Sequence, residues 1–162
     1  MKWALRFLTG IFCVGIAIGL IKTQLLPAAN SLALAKMVKL GHYDYVDELI
    51  TSENFPVEIE RFKTSGLIRV HFESTVSTDE IFSYLLHNNL RPAIMEELLA
   101  YGAGYPNRQL EHPIFALGTV RKNSKNVSFV PALDSLDAQR GLYLTPLQGE
   151  WTERCYFLVV RK

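Results

Sequence analysis

Ser77-Thr78-Asp79-Glu80-Ile81-Phe82-Ser83-Tyr84-Leu85-Leu86-His87-Asn88-Asn89-Leu90-Arg91-Pro92-Ala93-Ile94-Met95-Glu96-Glu97-Leu98-Leu99-Ala100-Tyr101-Gly102 is the stretch whose pattern decides how the chain is read. Ser77 to Glu80 has the form of a capping box: the serine hydroxyl accepts from the amide three residues on, and the glutamate reaches back. Ile81, Phe82, Leu85 and Leu86 fall on one side at helical spacing, and Asn88-Asn89 offers a left-handed residue to end the helix. Pro92 suits a first helical position, where no N–H is required. Ile94, Met95, Leu98, Leu99 and Tyr101 form a second apolar stripe, closed by Gly102. The spacing predicts two short helices joined at Leu90-Arg91 and packed against each other. No catalytic or cofactor signature accompanies them, and no cofactor is expected.

Upstream, Leu67 to Glu73 alternates, with Ile68, Val70 and Phe72 on one face and Arg69, His71 and Glu73 on the other, which predicts a strand with one wet side. Earlier still, Asn30 or Ser31 starts a short helix that Gly41 ends, and Val46, Leu49 and Ile50 suggest another turn or two of helix. Downstream the period becomes that of strands. Ile114 to Val120 and Val127 to Leu133 flank a polar, basic tip, Arg121 to Asn126, and predict a hairpin, with Pro131 at an edge or a strand end. Gly141 to Thr145 and Cys155 to Val160 flank Pro146 to Arg154 and predict a second pairing. The last strand is apolar on both faces, so it belongs in the middle of a sheet.

Lys2 and Arg6 precede an uncharged run from Phe7 to Ile21 that ends at Lys22. Two exported readings compete for it. A signal peptide fits the positive start and apolar centre, with Ala33-Leu34-Ala35 as small residues for cleavage. Lys22 and the long segment after it favour an uncleaved anchor. Lys22, Lys36 and Lys39 nearly balance the N-terminal charges, so the positive-inside count is indecisive, and it is the signal-like layout that suggests N-terminus inside and domain outside the cytoplasm. The alternative is a buried helix of a soluble protein, against which the lack of any acid counts. Gly15 and Gly19 have the small-residue spacing that lets membrane helices approach closely, and are the candidate helix contacts. Residues 1–35 are thus a signal peptide or anchor with linker, and 36–162 a folded domain. The expected class is α+β: an N-terminal apolar helix, then a mixed α/β domain with two short packed helices and C-terminal antiparallel hairpins.

Residues 1–43 hold five cations and no acid, so the remainder carries a net charge of −4. That is a poor surface for neutralising phosphates, and no nucleic-acid partner is expected. The four histidines have no metal-ligand spacing, and no metal is expected. Of the two cysteines, Cys13 lies in the apolar run; Cys155 reads as a buried strand thiol or, with a histidine such as His71 or His112 beside it, as a nucleophile. Glu96-Glu97 opens the second helix, where negative charge meets the helix dipole favourably.

Arg91 to Leu99, His112 to Gly118 and Phe157 to Lys162 resemble an uncharacterised bacterial domain family with an R-P-A-x-x-x-E-E-L-L helix start, an F-P-I-x-A-L-G-like strand and an F-L-A-V-R-K-like terminus. More remotely the chain is similar to C-type-lectin-like domains of the formylglycine-generating (sulfatase-modifying) type. That resemblance implies a mixed α/β fold whose C-terminal loops present a binding surface. The oxidase chemistry of that type does not carry over, because it depends on a cysteine pair near the C-terminus and only Cys155 lies there.

Tyr143, Gln148, Glu150, Trp151, Glu153 and Arg154 lie on or near the last hairpin. An exposed tryptophan with arginine and amide neighbours stacks on a sugar ring or anchors a protein; a tryptophan folded back over the sheet is the plainer reading. The function expected is a non-catalytic binding domain, membrane-tethered through its N-terminal helix or exported, that shows this surface to a protein or carbohydrate partner. An enzyme using Cys155 and a structural envelope component are the alternatives.

Overall fold

The computed structural model describes residues 33–57 and 65–162. Helix α1 covers residues 33–41. After it come β1 (Tyr45–Val46), β2 (Leu67–His71), β3 (Val76–Ser77), α2 (Thr78–His87), β4 (Leu90–Pro92), α3 (Met95–Gly104) and α4 (Arg108–Glu111). The rest is strand: β5 (Ile114–Phe115), β6 (Arg121–Lys122), β7 (Ser128–Leu136), β8 (Gln139–Pro146), β9 (Glu150–Trp151) and β10 (Tyr156–Arg161). The result is a mixed α/β fold, a large sheet with a few short helices. The apolar run at residues 7–21, Gly15 and Gly19 lie outside the described residues. Among the described residues no helix is long and apolar enough to cross a membrane.

The sheet runs β1-β8-β7-β5-β10-β2, with β4 also on β10 and β6 also on β7. β10 is the central strand that its two apolar faces required. It pairs antiparallel with β2 on one side, and with β5 (parallel) and β4 (antiparallel) on the other. Leu158 and Val160 enter one core with α1, α3, Leu133 and Leu142; Phe157 and Val159 enter a second with α2, Phe115, Val130 and Trp151. Side chains alternate along a strand, so these two cores lie on opposite faces of one sheet.

That division corrects the expectation of two helices packed as a pair. Ile81 and Leu85 of α2 belong to the second core, while Leu98 and Leu99 of α3 belong to the first. Between the helices Leu90–Pro92 is a strand on β10, not a helix–helix turn. Pro92 pairs with Val159 in that strand, and α3 begins three residues later at Met95. A proline without an N–H suits a strand flank as well as a first helical turn, and the strand won because β10 offered a long apolar partner.

Three more expectations change. Tyr45–Val46 is a strand parallel to β8 rather than a helical turn; Asp44 N–H donates to Arg140 O and Asp47 N–H to Leu142 O. The predicted pairing of 141–145 with 155–160 does not form, since β8 pairs with β7 through a two-residue turn. Asp137 (φ 50°) and Ala138 (φ 64°) both occupy the left-handed region there, the geometry of a type I′ turn. Pro131 sits inside the nine-residue β7, not at its end. Its carbonyl accepts from Ala116 N–H, so its nitrogen points to the same flank, where β7's partner changes from β6 to β5 and no ladder bond is lost.

Leu34 is buried in the first core and Ala33 packs against it, so the folded body already includes residues ahead of Lys36. A cut after Ala35 would take Leu34 out of that core. Beside it, the Arg140 guanidinium donates to the carbonyls of Gly41 and Gly102 and to Gln109, and lies over the Tyr43 ring. Gln109 itself donates to Asp134 O and Gly141 O. This network ties α1, α3 and α4 to the far end of the sheet. The Tyr43 hydroxyl is buried within it without a hydrogen-bond partner, and burial, opposed by Arg140, pushes its phenol to about 12.

Candidate functional site

The residues expected on the last hairpin do not form one surface. Val76 pairs with Trp151, which carries the indole under the start of α2; Trp151 is 5% exposed, with its ring edge-on to Phe115 and Phe157. Its Nε1 donates to Thr78 Oγ1 at 2.9 Å, and that hydroxyl donates to Leu147 O at 2.7 Å. The exposed, ligand-stacking tryptophan is therefore corrected: Trp151 is core, fixed by a two-residue strand too short to show any sequence period. Gln148, Glu150, Glu153 and Arg154 are exposed around it.

Tyr143 has a different setting. Its ring lies over Gly141, where any Cβ would collide with it, and stacks on Tyr45 at 5.0 Å. Tyr45 is 48% exposed at the β1 edge of the sheet. Burial, followed by the nearby Asp134 and Tyr45, pushes the Tyr143 phenol up. The helical spacing of Val46, Leu49 and Ile50 hides the partner ring Tyr45 from a reading of the sequence. Only Tyr43-Asp44-Tyr45 alternates there, a run too short to show a period of 2.

Cys155 is half-buried and packs against the second core. Tyr156, the next residue, packs on the first, and the rings of both His71 and His112 lie against it, at 4.9 and 4.8 Å. The strand thus turns the thiol to one face and both candidate bases to the other. Burial pushes the thiol up, with Asp134 and Glu153 adding to it against hydrogen bonds from Thr152. A thiol held protonated is the opposite of an activated nucleophile.

The segments that carry the resemblance meet in space. Arg91 holds Glu97 through two bonds, Nη1 to Oε2 at 2.8 Å and Nη2 to Oε1 at 2.6 Å, and Ile94 N–H donates to the same carboxylate. Ala93 N–H donates to Leu158 O, and Ala93 O accepts from Gly118 N–H. Met95 N–H donates to Thr119 Oγ1. Here the sheet forks: β4 stays with β10, β6 stays with β7, and the Gly118–Ala93 bond closes the apex. A cleft of about 320 Å³ opens in the fork, lined by Phe55, Val57, Met95 and Val120, with Glu96 and Arg121 at its rim. Glu96 and Glu97 are both buried. Glu97 serves the helix start and Arg91, and Glu96 lines the cleft.

Arg121 Nη2 donates to Asn54 Oδ1 at 3.1 Å across the open side. Beyond that bar a second hollow of about 390 Å³ is lined by Leu49, Phe55, Phe129, Leu144 and Lys122. Asn54, Phe55 and Arg121 line both, so the two hollows form one groove. Among the described residues no group of three or more His, Cys, Asp or Glu side chains is placed to hold a metal ion. Comparison with protein-family models, with curated proteins and with solved structures finds no match to this chain.

Proposed function

We propose that this protein is a binding domain, membrane-tethered or exported through its apolar N-terminal run, that takes a carbohydrate or protein partner on the open end of its sheet. The observation that carries this is the Tyr45–Tyr143 stack, Tyr45 exposed and Tyr143 half-buried, which a bare glycine at 141 makes room for. Aromatic faces with a carboxylate beside them suit the C–H faces and hydroxyls of a sugar, and equally a protein side chain. Asp134 supplies that carboxylate. The C-type-lectin-like affinity enters as part of the same proposal. What supports it is the pairing of β10 back to β2, with α2 and α3 lying between those two strands in the chain.

The Cys155 enzyme is the weaker reading, because thiol and histidines face opposite ways. An oligosaccharide and envelope-protein array, probed with the full-length chain, tests the binding role. A specific binder whose signal falls about tenfold with Tyr143→Ala, at an unchanged melting temperature, supports it. No binder, or one indifferent to both Tyr45→Ala and Tyr143→Ala, overturns it. Cell fractionation with N-terminal sequencing tests the tether: recovery in the cytoplasm with Met1 intact overturns that part.

A further inference from the structure

The groove at the fork runs beside a strand edge, and its charges are arranged for one kind of guest. β6 is paired with β7, Arg121 opposite Phe129 and Lys122 opposite Ser128. Asn123 N–H donates to Val127 O, toward β7. Backbone direction alternates along a strand, so Arg121 also turns its N–H and C=O to β7, while Lys122 turns its own away. That outer flank of β6 carries no strand among the described residues. It borders the groove, whose walls are Phe55, Val57 and Met95 on one side of the Arg121–Asn54 bar and Leu49, Phe129 and Leu144 on the other.

Arg121 and Lys122 line the groove, and Lys125 lies on the adjoining turn; all three are exposed, and none is in an ion pair among the described residues. Leu49 and Val120, also on the walls, are 54% and 46% exposed. An edge that carries no strand among the described residues, apolar hollows on either side of the Arg121–Asn54 bar and a rim where Arg121, Lys122 and Lys125 outnumber the carboxylate of Glu96 together specify an extended chain with alternating acidic and apolar side chains.

We propose that the groove binds an extended acidic peptide segment of another protein, added as a strand to the outer edge of β6. The peptide backbone bonds to Lys122 N–H and C=O. Its apolar side chains enter the hollows on either side of Arg121, and its carboxylates face Arg121, Lys122 and Lys125. This site is distinct from the Tyr45–Tyr143 stack and does not depend on it.

The test uses the full-length chain, kept in solution by a non-ionic detergent, and a blocked nonapeptide of alternating Asp and Val, read by amide shifts in the NMR spectrum. Expected is saturable binding with a Kd on the order of 0.1 mM, as suits a small contact, with shifts centred on Val120–Asn123 and Ile94–Met95. Arg121→Glu should weaken it about tenfold, and a Lys-Val nonapeptide should not bind the wild type. Lys122→Ala and Lys122→Pro separate charge from strand pairing. Both remove the cation, while only the proline removes the outward N–H, and it leaves the β7 ladder intact. Loss with Pro about tenfold beyond loss with Ala is expected.

If Lys122→Pro does not fold, slowed hydrogen exchange at Lys122 on adding peptide to the wild type is the same readout. No binding at millimolar peptide overturns the proposal. So does binding unaffected by Arg121→Glu, shifts centred on Tyr45 and Tyr143, unchanged exchange at Lys122, or equal binding of a single-stranded oligonucleotide.

Discussion

Gly118 and Ala93 meet backbone to backbone: the Gly118 N–H donates to the Ala93 carbonyl at 2.8 Å, and a Cβ on Gly118 would lie 2.6 Å from that same oxygen. The Pro92 carbonyl is 2.8 Å from the same point. Two stretches twenty-five residues apart in the chain are held at a distance only glycine permits, and the fork of the sheet is built on that contact.

Gly118→Ala should therefore destabilise the fold by about 2–3 kcal/mol, because backbone oxygens cannot swing aside as a side chain does. Urea unfolding measures it. A loss under about 0.5 kcal/mol, the range of an ordinary surface change, would mean that the apex is looser than described.

Arg91→Ala removes the bidentate partner of Glu97, whose side chain is 0% exposed. The expected loss is about 3 kcal/mol, at the low end for a buried pair because Arg91 itself reaches solvent. Arg91→Lys keeps the charge without the fork of donors and should recover only part of that stability. Recovery to the wild-type midpoint would show that charge alone is sufficient.

Ala138→Gly should stabilise the protein by about 0.5–1 kcal/mol. An alanine at φ 64° is strained as a left-handed residue, and that relief outweighs the extra freedom glycine gives the unfolded chain. Thermal unfolding of the two proteins side by side checks the sign, and a lower midpoint for the glycine variant would contradict it.

Tyr43 gives a pH dependence with a defined direction. Its phenol titrates at about 12 in the fold, above its ordinary value, so the contribution is complete below pH 10 and is lost as pH rises from 10 to 12. The loss is of the order of 2 kcal/mol. Tyr43→Phe should remove this component, and should raise stability at neutral pH by about 1 kcal/mol by deleting a buried hydroxyl without a partner. Parallel denaturation curves at pH 9 and 11.5 compare the two proteins. Equal pH slopes would refute the assignment.

What could be read from the sequence was what is decided locally. The capping box forms as written: Ser77 N–H donates to Glu80 Oε2 at 2.8 Å and Glu80 N–H to Ser77 Oγ at 3.3 Å; the first of these, with the Ser77 hydroxyl also donating to Oε2, holds the Glu80 carboxyl below its ordinary range. Asn89 takes the left-handed conformation expected at the end of that helix. The alternation of Ile68 and Val70 and the two apolar faces of β10 placed both strands correctly. Partners of strands were another matter. β8 turned to β7 because Asp137-Ala138 makes a tight turn, although alanine there gives none of the signal that glycine would. Pro92 and Trp151 failed for a shared reason: each sits in a strand of two or three residues, whose existence is set by a distant partner rather than by any local period. For the same reason the fork cleft was invisible, since its rim joins Asn54 to Arg121 across 67 positions.

β10 is made after every strand it pairs with: β2, β4 and β5 all precede it in the chain. While residues 156–161 are still missing, those three strands have no common neighbour and both cores lie open along the middle. Synthesis therefore runs through most of this body before the body can close, with the pairings of β10 deferred to the last step.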